Sequence, residues 1–322
     1  MNPEPLIFSM SQIKTYVECK KRAQLAYEML LQPNVSDEAA MSKGTAFHKY
    51  AQYQTSQRWP HLEKVEKPEV SEETVGLYNS WWEHRGRTQH DAKKRVLGVE
   101  KPIYTLLNIK TGILGQAVYL RCTFDEIYLD KEGWIVGFDY KTYKVDSSPD
   151  VDLDFQGRIY IAALQRLFPD YPVRFEYERV RQSAPGTPRG NAQGLRLEEG
   201  TWWTYNKAGD KRKRSEIWTP AECYETIILT ADQDELDVLW NETLFNATEL
   251  IVRRRVSETT PGAWGRTTDK FACGFCYFKA LCKADLKNTL DDQTIDLLAT
   301  RRTPLETPEE LKEGCSDGLQ QT

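Results

Sequence analysis

Two acidic residues placed symmetrically about a turn constrain this chain more than any other feature of its sequence. Asp125 and Asp139 each lie seven residues from position 132, in two segments rich in apolar and aromatic residues. A three-residue hairpin loop that ends at Gly133, with this glycine in the left-handed conformation, pairs the two segments so that the carboxylates lie directly opposite each other. The sequence therefore predicts a β-hairpin with two acids on one face.

A positive charge is needed beside these acids, because like charges directly opposite each other destabilise a sheet. Lys141 lies two residues beyond Asp139 and so shares its face of the strand. The apolar neighbours Ile135, Val136 and Phe138 indicate that this strand is buried. Two acids and a lysine on a buried strand favour a site for a hard cation. An exposed, charged sheet face is the alternative.

Hydrophobic periodicity divides the rest of the chain into a helical start, a strand-rich middle and a mixed end. Ser9 and Gln12 form a capping-box pattern before a first helix, and Cys19 lies near the far end of that helix. His48 faces inward on a second helix. We predict further helices over about residues 37–59, from 71, over 152–168 and over 234–255, and strands over 95–107, 116–130, 133–143, 173–182 and 223–230.

Composition places the chain among ordinary globular proteins. Hydrophobic residues make up 40% and charged residues 28% of its 322 residues, enough to bury a core. No apolar run reaches the ~18 to 20 residues of a membrane-spanning helix, and the first residues lack the pattern of a signal peptide. We therefore expect a cytoplasmic protein.

Charge is distributed unevenly along the chain. The net charge is −5, and residues 285–322 alone carry nine acids and four bases, so the remainder is neutral. Within that remainder, residues 174–214 hold ten bases and five acids. Five of these bases fall within eight residues: Lys207, Lys211, Arg212, Lys213 and Arg214. Such a segment is either a solvated loop or a contact for a polyanion such as nucleic acid.

The cysteines form a pattern of three plus one. Cys273, Cys276 and Cys282 lie within ten residues, and Cys19 lies 254 residues before the first of them. In a reducing compartment, clustered thiols indicate a metal site rather than disulfides. The spacing suits zinc and an iron–sulfur cluster equally well. Three cysteines lie outside the pattern: Cys122, Cys223 and Cys315.

Four sequence elements, in this order, resemble the RecB-like branch of the PD-(D/E)XK nuclease superfamily over most of residues 9–285. They are Gly44 to His48 (G-x-x-x-H), Asp125, Asp139-Tyr140-Lys141, and Gln156 to Tyr160 (Q-x-x-x-Y). The chain departs from the family in having Lys20 after Cys19, where proline is common, and Asp rather than Glu at position 139. The resemblance implies an α/β fold with a restriction-endonuclease-like core, in which helices flank a mixed central β-sheet.

The resemblance also implies roles for individual residues. His48, Asp125, Asp139 and the backbone carbonyl of Tyr140 are expected to hold Mg²⁺ or Mn²⁺, and Lys141 to activate water and stabilise charge on the phosphate. Glu100 is a minor further candidate. The residues expected to contact DNA are Gln156, Tyr160, Lys211, Arg212, Lys213 and Arg214. A plain packing stripe is the alternative for Tyr160, and a core position the alternative for His48.

The three-plus-one thiols resemble those of the iron–sulfur exonucleases in this branch, which include the CRISPR-associated type and its phage relatives. The resemblance implies a structural [4Fe-4S] cluster held by Cys19, Cys273, Cys276 and Cys282, with Zn²⁺ as the alternative. We predict an N-terminal helical region (1–94), a nuclease core (95–182), a basic insertion loop (183–216), a C-terminal strand, helix and cysteine segment (217–284), and an acidic flexible tail (285–322).

The functional prediction is a metal-dependent DNA exonuclease that acts on DNA ends or single strands, in recombination, repair or CRISPR adaptation. A bacterial or phage source follows from the resemblance. Two alternatives belong to other classes. One is a non-catalytic DNA-binding subunit with the same fold, and the other is a zinc-clasped interaction protein. An intact set of Asp125, Asp139 and Lys141 favours the enzyme over both.

Overall fold

A computed structural model defines the architecture for most of the chain. The described residues are 5–34, 38–107, 117–143, 155–189, 195–205, 211–257, 264–267, 273–274 and 276–303, with the backbone alone described at 38–42, 204–205 and 211–214. Within these ranges no helix combines the length and apolar character needed to cross a bilayer.

Helices and strands alternate along the chain much as the hydrophobic periods predict. The helices are α1 (Met10–Glu18), α2 (Lys20–Ala23), α3 (Glu38–Arg58), α4 (Glu72–Trp81), α5 (Arg87–Ala92), α6 (Phe155–Leu167), α7 (Pro220–Cys223), α8 (Gln233–Ser257), α9 (Lys279–Leu286) and α10 (Asp292–Leu298). The strands are β1 (Leu6–Ser9), β2 (Leu31–Pro33), β3 (Lys93–Val99), β4 (Pro102–Leu107), β5 (Val118–Thr123), β6 (Glu126–Asp130), β7 (Ile135–Tyr143), β8 (Val173–Arg181), β9 (Leu195–Glu198), β10 (Thr201–Tyr205), β11 (Lys211–Arg214), β12 (Tyr224–Leu229) and β13 (Ala299–Arg301). Two π-helical turns, Gln24–Glu28 and Trp82–Gly86, extend α2 and α4.

A five-stranded sheet in the order β12-β8-β7-β6-β3 forms the centre of the fold. It is mixed, because β7 and β8 run parallel and the other pairs are antiparallel. Successive residues of β7 face opposite sides, so Ile135 packs in the core beneath α6 and α8 while Val136 packs in the core beneath α3 and α4. The predicted α/β fold with a mixed sheet flanked by helices is confirmed.

The predicted hairpin between β6 and β7 is also confirmed, including its register. The Asp130 amide donates to the Trp134 carbonyl at 3.0 Å, and Gly133 has φ +93°. Glu126 pairs with Phe138, and one step further along this register brings Asp125 opposite Asp139. The turn chemistry of glycine therefore sets the distance between the two acids along their strands.

The two long strands predicted over residues 95–107 and 116–130 are each broken in the structure. The first breaks at Glu100, which has φ +49°, and the second breaks just before Asp125. The Glu100 amide donates to the Asp125 carbonyl at 3.1 Å, so the two breaks lie side by side. Beyond them, β4 and β5 leave the central sheet and join β1 in a separate three-stranded sheet. The prediction of continuous strands was wrong at this point.

Two further predictions need correction. The described part of the basic insertion is not a simple loop, because its strands β9, β10 and β11 form an antiparallel sheet. The predicted flexible tail begins with ordered structure. β13 pairs with β2, and Ile295 and Ala299 are buried against the segment that follows α2. Residues 304–322, including Cys315, lie outside the described residues, as does Lys207.

Candidate active site

The glycine of the G-x-x-x-H element lets α3 lie close to the strand that carries the acids. A Cβ atom added at Gly44 would lie 2.9 Å from Thr142 Oγ1 on β7. Real side chains essentially never make so short a contact, so only glycine permits this separation of helix and strand. His48 follows one turn later on the same helical face and points toward the break at Asp125. The G-x-x-x-H motif thus sets the distance between α3 and β7.

A pair of glycine substitutions tests this spacing. Gly44→Ala should destabilise the protein by about 1–2 kcal/mol, because overpacking against Thr142 outweighs the better helix propensity of alanine. Gly76→Ala in α4 is the matched control, since nothing lies within 4 Å of the added methyl group. This control should gain about 0.5–1 kcal/mol. Urea unfolding of both variants measures the difference, and equal shifts of the same sign would contradict the argument.

Three donor groups from three different elements meet at the paired strand breaks. One ligand atom from each of His48, Glu100 and Asp125 lies within 4.8 Å of the other two. His48 Nδ1 and Asp125 Oδ1 are 3.0 Å apart, and Asp125 Oδ2 accepts the Tyr140 amide at 2.6 Å. Among the described residues this is the one such group found. Sequence reasoning gave Glu100 little weight, although Gly98 and Pro102 on either side of it are typical of a break.

Burial and neighbouring charges together shift the pKa values of the three donor groups. Burial, followed by the charge and hydrogen bond of Asp125, raises the pKa of Glu100 to about 7. Burial and the charge of Asp139 raise the pKa of Asp125, against the opposing effect of His48. Burial lowers the pKa of His48, but the hydrogen bond and charge of Asp125 outweigh this effect and raise it overall. A cation among these groups would favour their charged carboxylates and neutral imidazole.

Asp139 and Lys141 complete the site on the neighbouring strand. Lys141 Nζ forms an ion pair with Asp139 Oδ2 and lies 5.4 Å from the centre of the Tyr177 ring. Asp139 is 7% exposed, while the Lys141 side chain is 47% exposed. The lysine can therefore reach a molecule in solvent while the acid stays fixed beneath it. Tyr140 lies between them with its ring buried against Phe47 at 5.4 Å.

The donor set fits a hard divalent cation. Carboxylate oxygens and one imidazole nitrogen converge from different elements, and oxygen donors are what Mg²⁺ and Mn²⁺ prefer. The charge of Asp125 acts on Glu100, that of Asp139 acts on Asp125, and Lys141 forms an ion pair with Asp139. Both Glu100 and Asp125 gain stability in the charged form if a cation is bound. The residues present therefore suit the group that the sequence predicts.

The Q-x-x-x-Y element lies on α6, on the opposite side of β7 from α3. Tyr160 is 4% exposed and packs against Phe124 with ring centres 4.6 Å apart. Its hydroxyl accepts from the Gln156 amide at 3.2 Å. The ring packs in the core, which favours the packing alternative for Tyr160, and its contact with DNA stays a prediction. Gln156 is half-buried and is the member of the pair that can reach a ligand.

The four cysteines of the three-plus-one pattern surround one cavity of about 450 Å³, although 254 residues separate Cys19 from Cys273. Burial raises the pKa of Cys276, and the neighbouring Cys19 and Cys273 act in the same direction. Arg266 Nε donates to Cys282 Sγ at 3.4 Å. The other described cysteines, Cys122 and Cys223, are buried elsewhere in the core.

A family model for the PD-(D/E)XK nuclease superfamily matches residues 7–283 of the chain. The chain belongs to the PD-(D/E)XK nuclease superfamily. The matched range contains both acids of the hairpin, Lys141, His48 and the cysteine segment. The mixed α/β fold with helices on both faces of its sheet agrees with a PD-(D/E)XK core.

Two solved structures of low sequence identity are similar to this PD-(D/E)XK chain over most of its length. The crystal structure of SSO0001 is 11% identical, with a TM-score of 0.38, and the match covers 87% of this chain and 86% of that one. A protein of Eubacterium rectale, named an exonuclease by inference, is 10% identical, with a TM-score of 0.41 and coverage of 96% and 92%. No curated protein matches the sequence significantly.

Proposed function

We propose that this protein is a metal-dependent DNA exonuclease of the RecB-like type, acting in DNA recombination, repair or CRISPR adaptation in the cytoplasm of a bacterial or phage-infected cell. One observation carries the proposal. His48, Glu100 and Asp125 converge beside Asp139 and Lys141 in a chain of a nuclease superfamily. A non-catalytic binding subunit would have no use for this combination of acids and lysine.

Each residue has a part in phosphodiester hydrolysis. His48, Glu100, Asp125 and Asp139 would hold Mg²⁺ or Mn²⁺, which when bound lowers the pKa of water and screens the anionic phosphate. Asp125 is fixed from two sides, by His48 and by the Tyr140 amide, so its carboxylate does not need to reorganise during the reaction. Lys141 Nζ, more exposed than Asp139, would offset charge that develops on the phosphate oxygens.

We further propose that Cys19, Cys273, Cys276 and Cys282 hold a structural [4Fe-4S] cluster. All four line one cavity, although Cys19 lies far from the other three in the sequence. Four thiolates suit zinc and an iron–sulfur cluster alike, and the three-plus-one pattern of the iron–sulfur exonucleases that the chain resembles favours the cluster. Such a cluster would clasp the end of α1 to the start of α9.

Linear and circular DNA of the same sequence test the proposed activity. Full-length protein should degrade end-labelled linear single- or double-stranded DNA with Mg²⁺ and should stop when EDTA is added. Circular single-stranded DNA should survive, because an exonuclease needs an end. Cleavage of the circle at the same rate would overturn the exonuclease assignment, and binding of all DNAs without any cleavage would support the non-catalytic subunit instead.

The basic strand β11 is proposed to bind the DNA backbone. Its residues Lys211–Arg214 pair with β10 in the insertion sheet. Along the chain, this sheet lies between β8 and β12 of the central sheet. Changing all four residues of β11 to serine should weaken binding to every sequence alike, while the turnover of bound DNA stays nearly unchanged. The slope of log K against log[salt] should flatten by about 0.9 for each duplex phosphate that the variant no longer neutralises, or about 0.7 on a single strand. An unchanged slope in a salt series would show that β11 does not contact DNA.

A further inference from the structure

A groove of about 670 Å³ runs along the outer side of β3 and opens at the candidate metal site. β3 is one of the two edge strands of the central sheet among the described strands. Gln52 and Ser56 of α3 line the opposite wall, spaced four and eight residues after His48, so all three lie on one helical face. Eight residues of helix span about 12 Å. Glu100 lines the groove and also belongs to the metal group, which makes the two sites continuous.

The rim of this groove carries positively charged side chains that form no ion pair with the described residues. Arg95 and Lys101 line it and are exposed, and within the described residues neither forms an ion pair. Lys64 also lines the groove, but its Nζ is occupied by the Ser56 carbonyl at 2.6 Å at the end of α3. The acids in the lining are Glu63 and Glu100. The unpaired charges of Arg95 and Lys101 suit the phosphates of a nucleic-acid strand, and the side-chain amide of Gln52 can form hydrogen bonds with a base.

A peptide strand is the other ligand that an open sheet edge can bind. Two features of β3 disfavour it. Its pairing with β6 shifts register between Lys93 and Arg95 and again between Val96 and Gly98, and such bulges interrupt a regular edge. In addition, the outward carbonyl of Val96 already accepts from His61 Nε2 at 2.5 Å. A regular ladder of backbone hydrogen bonds therefore cannot form along β3.

We propose that this groove binds the one or two nucleotides at the end of the DNA strand being cut. Arg95 and Lys101 contact the phosphates and Gln52 contacts a base edge, while the scissile phosphate lies at Glu100 and His48. The volume falls within the ~300–1,000 Å³ of sites that enclose a small molecule, which accommodates a nucleotide. The proposal rests on the nuclease function above and adds to it the position of the strand end.

Binding of short oligonucleotides to a non-cutting variant tests the proposal independently of cleavage. The probes are fluorescein-labelled thymidine oligonucleotides of about two to six nucleotides, short enough to be held mainly by the groove. In full-length Asp139→Asn protein, Arg95→Ser with Lys101→Ser should weaken their binding at least about tenfold by anisotropy, the loss expected for a pair of charged hydrogen bonds. Lys67→Ser with Lys94→Ser removes the same charge from two exposed lysines outside the groove and should change binding less than about twofold.

Three outcomes separate the possibilities. The proposal is supported if Arg95→Ser with Lys101→Ser weakens oligonucleotide binding, the control pair does not, and the melting temperature is unchanged. Adding Gln52→Leu should then weaken binding further. Equal effects of the two pairs would overturn the proposal, because the oligonucleotides would then respond only to the general charge of the protein and not to the groove. Wild-type protein that binds these oligonucleotides selectively through the groove but cuts no DNA would overturn the proposed function and not the groove.

Discussion

Asp139→Asn should reduce Mg²⁺-dependent DNA cleavage at least about 10³-fold while DNA binding persists. The substitution keeps the shape of the side chain but removes a buried negative charge that faces Asp125 across the hairpin and pairs with Lys141. A loss of this size corresponds to about 4 kcal/mol of transition-state stabilisation. Single-turnover cleavage of end-labelled DNA measures the rate, and fluorescence anisotropy measures binding.

Matched controls separate this effect from a general loss of charge. Asp91→Asn removes a carboxylate that is 78% exposed, and it should leave the rate within about twofold of the parent. Lys141→Ala should cost about 10²–10³-fold, as expected for a lost transition-state donor. His48→Ala should cost less than Asp139→Asn, because carboxylates dominate a hard-cation site. Cleavage by Asp139→Asn at the rate of the parent would show that Asp139 takes no part in the reaction.

Anaerobically purified protein should be brown and should contain about four irons and four sulfides per chain. Cys276→Ser should abolish most of this iron and lower the melting temperature, because the bound cluster joins two distant parts of the chain. Cys19→Ala should do the same by freeing the end of α1 from α9. Iron and sulfide analysis with thermal unfolding measures both effects in one preparation.

Cys122→Ala is the matched control for the cluster. Its thiol is fully buried in the core, and this burial raises its pKa. The variant should lose some stability as a core substitution but keep its full iron content. Cys315→Ala, outside the described residues, should change neither property. Protein that contains one zinc and no iron would decide for the zinc-clasped alternative.

The central part of the site could be predicted because it depends on local rules. A glycine at the third loop position fixes the hairpin register, and the register alone places Asp125 opposite Asp139. Likewise, helical periodicity places His48 one turn after Gly44 on the face toward β7. Each of these relations involves residues close in sequence or symmetric about one turn.

Glu100 could not be placed from the sequence because its position depends on a long-range contact. A residue other than glycine with φ +49° costs about 1–3 kcal/mol, and the partner that holds it is the carbonyl of Asp125 on another strand. The structure around Ile295 also depends on a long-range contact, because β13 is stabilised by pairing with β2 more than 260 residues earlier. Neither partner leaves a local pattern that periodicity can detect.

Binding of Mn²⁺ to the full-length protein, measured by EPR alongside DNA cleavage, tests the central claim most directly. The parent protein should bind Mn²⁺, and Asp125→Asn and Glu100→Gln should each weaken that binding by about 10- to 100-fold. The cleavage rates of both variants should fall along with their affinity for Mn²⁺. Asp91→Asn should keep the Mn²⁺ affinity and the cleavage rate of the parent. Cleavage that continues in excess EDTA, or an Asp125→Asn variant that binds Mn²⁺ and cuts DNA like the parent, would contradict the account.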